Sequence, residues 1–170
     1  MRVYVPATVG MLRDLVMNGE VLPVSGTAFA LTPTLRESYT SGSAEELEYV
    51  ALLEAARASL RLLASELANG PAGEGLAPRR VVVAADVEDV TLRPDLDAAV
   101  IRIAGAVPMS AIASVHMDAT EAEPAVRAAI KVIDAADLGD LDAEFALGDA
   151  EDHELAWYAP QELPFMLELL

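Results

Sequence analysis

The sequence predicts an α/β fold, or alternatively α+β, built as a single mixed β-sheet with packed helices. Three observations carry that reading. "RVYVPA" (Arg2–Ala7) and "RRVVVAAD" (Arg79–Asp86) are short apolar runs rich in β-branched residues, the second continuous enough for a central strand covered on both faces. A long amphipathic helix, Ser43 to Ala68, lies between them. The order strand, helix, strand, helix, strand is followed by more strands, a helix and a hairpin. The 170 residues are expected to form one globular domain, 1–170, close to the usual prior of about 150 residues each.

Each element follows from local chemistry. After the first strand, Thr8 is placed to cap a helix whose apolar face runs through Val9, Leu12 and Val16 and which stops at Asn18-Gly19. "GTAFALTP" gives a second strand over Thr27–Leu31, and Thr32-Pro33 opens a short helix reaching about Tyr39. The long helix starts with the capping box Ser43…Glu46. Its stripe is Tyr49, Leu52, Leu53, Ala56, Leu60, Leu63 and Leu67, with Glu54, Arg57 and Arg61 opposite and Asn69-Gly70-Pro71 as the stop. "GPAGEGLAP" is a connector. Beyond "RRVVVAAD", strands are expected at 98–104 and 112–118 and a helix from Glu121 to Ala136, aligning Ala122, Val126, Ala129, Ile130 and Ile133. "AEFAL" and "ELAWYA" are expected to pair as a hairpin across Gly148–His153, and "PFMLELL" closes the chain.

Composition excludes several function classes. The 28 acids against 11 bases give a net charge of −17, which repels phosphate backbones and anionic lipid alike, so neither nucleic acid nor a membrane surface is an expected partner. With no cysteine there is no disulfide, thiolate ligand or cysteine nucleophile. The uncharged runs Val21–Leu35 and Ile103–Met117 are interrupted by proline and fall short of the ~18 apolar residues of a spanning helix. "MRVYVPATVGMLRDL" lacks the long apolar core of a signal peptide, and a cytoplasmic location is expected.

Four residues are the nearest to a catalytic set: His116, Asp118, His153 and Glu154. His116 and Asp118 share a face of one strand, about 6.6 Å apart by strand rise. A catalytic histidine, however, needs an orienting acid and a group to act on, and no G-x-S-x-G elbow accompanies the nearby Ser110 and Ser114. His153 and Glu154 sit in the contiguous run Asp149–Glu154, whose side chains would point in several directions from a loop rather than converge. The sequence therefore favours a satisfied strand histidine and a solvated turn. For a metal, Asp86, Glu88 and Asp89 follow the central strand, where α/β sheets open their ligand crevices. No glycine-rich phosphate loop accompanies them, and no cofactor is expected.

"RVYVPAT" (Arg2–Thr8) and "AEDHELAWYAPQEL" (Ala150–Leu163) resemble a family of uncharacterised actinobacterial proteins, a domain of unknown function of about this length. The resemblance runs end to end, implies a cytoplasmic location and lends no catalytic residue. The expectation is a small acidic, non-catalytic binding protein whose acidic surface meets a basic or neutral protein; the apolar Leu163–Leu170 tail is expected to be buried in the fold, with a homodimer contact as the second choice. The alternative is a carboxylate-site, metal-assisted hydrolase at Asp86–Asp89, with His116 or His153 assisting.

Overall fold

The computed structural model describes residues 1–69 and 77–170. Its sheet grows outward from β1 (Arg2–Ala7), which is paired on one side with β3 (Thr27–Ala30) and on the other with β4 (Val81–Asp86). Beyond β3 lie β6 (Val100–Ile103) and then β5 (Val90–Leu92). Beyond β4 lie β8 (Ile112–Met117) and then β9 (Ala156–Tyr158), giving the order β5-β6-β3-β1-β4-β8-β9. A separate ribbon pairs β2 (Glu20–Val21) with β7 (Val107–Pro108).

The α/β class holds, but the large sheet is antiparallel at every pairing rather than mixed. The reason is the position of β1. The long helix α3 (Ala44–Asn69) joins β3 to β4, which run in the same direction, but β1 lies between them and opposes both.

Both faces are covered, as the unbroken apolar run of β4 requires. On one face Val3, Val5, Val81, Val83, Val115 and Met117 pack under α1 (Val9–Asn18) and α6 (Leu163–Glu168). Thr8 caps α1 by accepting from the Met11 N–H at 3.2 Å, and Gly19 ends it at φ 80, a left-handed conformation that costs a glycine little. On the other face Tyr4, Phe29, Val82, Ala84 and Val100 pack under Ala51, Leu52, Ala55 and Ala56 of α3. The short α2 (Pro33–Glu37), capped by Thr32, adds Leu35 to this layer.

The second half of α3 leaves the sheet. Leu60 and Leu63 pack with Val126, Ile130 and Ile133 of α4 (Glu123–Asp137) and with Ala143 and Leu147 of α5 (Leu141–Glu151). Ser59 marks the junction. Fully buried, its Oγ donates to the Ala7 carbonyl at 2.7 Å and accepts from the Val81 N–H at 3.0 Å, stitching α3 to the ends of β1 and β4. At the start of α3 Ser43 Oγ accepts from the Glu46 N–H at 3.2 Å and donates to the Glu46 carboxylate at 3.3 Å, which makes the cap but not the reciprocal bond of the expected box. The expected stop at Gly70-Pro71 and most of the connector lie outside the described residues.

One expected hairpin is replaced. "AEFAL" is part of α5, and β9 pairs with β8 instead. Apolar Ala143, Phe145 and Leu147 alternate like a strand because Phe145 is apolar yet faces solvent, which masks the helical period. In the tail, Leu163 and Met166 are buried while Phe165 and Leu169 are exposed. Among the described residues no helix is long and apolar enough to cross a membrane.

Candidate functional site

Helix α3 covers the middle of the sheet and leaves the β8–β9 end of that face open. A cleft of about 180 Å³ forms there, lined by Tyr49, Leu52 and Leu53 of α3, by His116 of β8, and by Arg80, His153, Glu154 and Leu155. Three of the four residues singled out for catalysis thus share one concavity, and the fourth, Asp118, lies just beneath it. Tyr49 and Leu53 are 51% and 41% exposed, an apolar wall facing the polar one. Trp157 stands directly across the β8–β9 ladder from His116 and is 62% exposed.

The end of the cleft is fixed by an interior ion pair. Arg80 precedes β4 and Asp118 follows β8, one step beyond the paired Val81 and Met117. The guanidinium donates to both carboxylate oxygens at 2.8 and 2.7 Å, and the Arg80 backbone N–H donates to the same carboxylate at 2.8 Å. Its remaining reach goes to the His153 carbonyl at 2.8 Å, which anchors the loop carrying His153 and Glu154. Arg80 and Asp118 are both essentially inaccessible, so each charge exists there only because the other cancels it. Asp118 is consequently spent on structure and is not an orienting acid for His116.

His116 instead shares a hydrogen bond of 2.9 Å between its Nε2 and Ser114 Oγ. Burial pushes its imidazole below the ordinary histidine range, with the charge of Arg2 adding to the effect, so the ring is neutral at pH 7. Ser114 is buried and does not line the cleft, which removes it from the reach of a substrate. A serine and a histidine are therefore joined without the carboxylate partner and accessible hydroxyl that acyl transfer needs.

A family model matches residues 1–167. The chain belongs to DUF6912, a family of unknown function. No curated protein and no solved structure gives a significant match to it.

The other acids lie elsewhere on this DUF6912 chain. Asp86, Glu88 and Asp89 line an open depression of about 410 Å³ with residues of the segment from Ile103 to Pro108. Asp86 stands opposite Arg2 in the β1–β4 register, and the guanidinium, at 2.8 and 3.1 Å, holds its carboxyl below the usual carboxylate range. Among the described residues no group of three or more His, Asp or Glu is arranged to hold a metal ion.

Sequence reasoning missed the other five residues of the cleft: Arg80, Leu155, and Tyr49, Leu52 and Leu53, which it placed only in the apolar stripe of the long helix. A signal for Arg80 existed, since strand alternation carried back from Ala84 and Val82 puts it on the covered face, where an arginine demands an acid.

Proposed function

We propose that this chain is a non-catalytic binding protein of the cytoplasm whose α3–β9 cleft takes up one side chain of a basic or neutral protein partner. The observation that carries the reading is the pairing of a half-exposed apolar wall, Tyr49 and Leu53, with a rim bearing Glu154. The size of the cleft, about 180 Å³, suits a single side chain and falls below the roughly 300–1,000 Å³ of drug-sized ligand sites. Arg80 adds no net charge because Asp118 cancels it, leaving Glu154 and the surplus of −17 to favour a cationic visitor. The test is to pan a random peptide library on the immobilised protein. Enrichment of peptides with Lys or Arg flanking an apolar anchor, lost in Tyr49→Ala, is expected; no enrichment, or binders indifferent to Tyr49→Ala, would refute it.

A second reading, metal-assisted hydrolysis at Asp86–Asp89, rests only on the three acids lining one depression, since among the described residues they do not converge into a group that could hold a metal ion. Calorimetry with Mg²⁺, Mn²⁺ and Zn²⁺ separates the two, since the binding reading predicts no heat of association at millimolar metal. Self-association through Phe165 and Leu169 is an alternative partner arrangement, and sedimentation of the wild type beside a Phe165→Ala, Leu169→Ala variant tests it.

A further inference from the structure

The tip of the α4–α5 pair presents a second surface, independent of the cleft. Helix α5 is apolar on two sides: Ala143, Leu147 and Ala150 face the core, whereas Leu141 and Phe145, one turn apart, lie opposite at 75% and 76% exposure. Leu138, at the end of α4, is 90% exposed. A lone exposed leucine needs no explanation, but three large apolar side chains between positions 138 and 145 form a patch that water disfavours.

The tip is also held rigidly. Arg57 of α3 donates to Asp137 and to Glu144, both at 3.2 Å, and Arg61 grips Asp137 at 2.8 and 2.9 Å. Asp140 caps α5 by accepting from the Ala143 N–H at 2.9 Å. A preorganised surface loses less entropy when it docks. Around the apolar residues the charge left over after the Arg57 and Arg61 pairs is one-sided: Asp134 lies one turn before Leu138 and Asp149 one turn after Phe145, with Asp142 between. None of these three carboxylates has a hydrogen-bond or ion-pair partner among the described residues.

We propose that this tip is a docking knob whose Leu138, Leu141 and Phe145 enter an apolar groove on a partner protein, with lysine or arginine along the groove's rim. Charge complementarity selects that partner over a second copy, which would bring the same acids face to face. The probe is a designed helical hairpin with leucine along its seam and lysine on its flanks, followed by heteronuclear NMR of the protein. It is expected to shift the 138–145 amides saturably. Binding should weaken on the order of tenfold or more in Leu138→Ala, Leu141→Ala, Phe145→Ala, and should vanish when glutamate replaces the probe's lysines. Equal affinity for the triple variant, a response confined to Tyr49 and His153, or tip amides that move with protein concentration alone would each overturn the proposal.

Discussion

The junction beneath the cleft and the tip of α4–α5 treat polarity in opposite ways. At the junction polar groups are buried and nearly all are answered: Arg80 by Asp118 and the His153 carbonyl, Ser59 by Ala7 and Val81. At the tip apolar groups are exposed and unanswered. Folding drives the first arrangement, because an unpaired buried charge or donor is costly, while nothing in the fold itself drives the second. The difference teaches which parts of the molecule are explained by its own stability and which need something outside it.

Breaking the junction should give the largest effects. Arg80→Met or Asp118→Ala leaves one charge buried alone and is expected to cost about 3–5 kcal/mol in urea unfolding, while Arg80→Met combined with Asp118→Leu should recover much of that loss. Partial additivity below the sum of the single changes is the signature to look for. Ser59→Ala strands the Ala7 carbonyl and the Val81 N–H together and should cost about 1–3 kcal/mol.

A smaller effect comes from acid. Because the folded His116 pKa is depressed, the unfolded chain takes up a proton at a pH where the folded chain does not. Its contribution to stability is thus present above the unfolded value of about 6.5 and is lost as pH falls from there through the lower folded value. Chemical unfolding of wild type and His116→Gln at a series of pH values should show a shallower decline for the variant in that window. A parallel pair of curves would mean that the ring is solvated.

The tip should give the smallest change. Leu138→Ala, Leu141→Ala and Phe145→Ala together are expected to leave stability within about 0.5 kcal/mol per site, although the same three changes in a core would be crippling. A large loss in thermal unfolding would place these residues in the fold's own core and erase the contrast with the junction.

What could be read from the sequence follows the same division. Helix α4 was legible because its apolar residues, Val126, Ala129, Ile130 and Ile133, are all buried, so the pattern and the burial coincide. Helix α5 was not, because Leu141 and Phe145 add apolar residues on the solvent side and turn a helical period into apparent alternation. The longer strands were legible, β1 and β4 from their β-branched runs, but the short β2, β5 and β7 were not, and neither was the antiparallel sheet, since no local signal shows that β1 inserts between β3 and β4. His116 and His153 were each visible alone. Their convergence was hidden because it depends on β9 pairing with β8 and on Arg80 pulling the His153 carbonyl inward.

Trp157, the chain's single tryptophan, stands across the ladder from His116, which lines the cleft, and supplies the most direct measurement. Titrating a basic peptide selected on the immobilised protein should change its fluorescence saturably, with affinity falling as salt rises and disappearing in Tyr49→Ala. An emission spectrum that stays constant through saturation of the same peptide would contradict a binding cleft between α3 and β9.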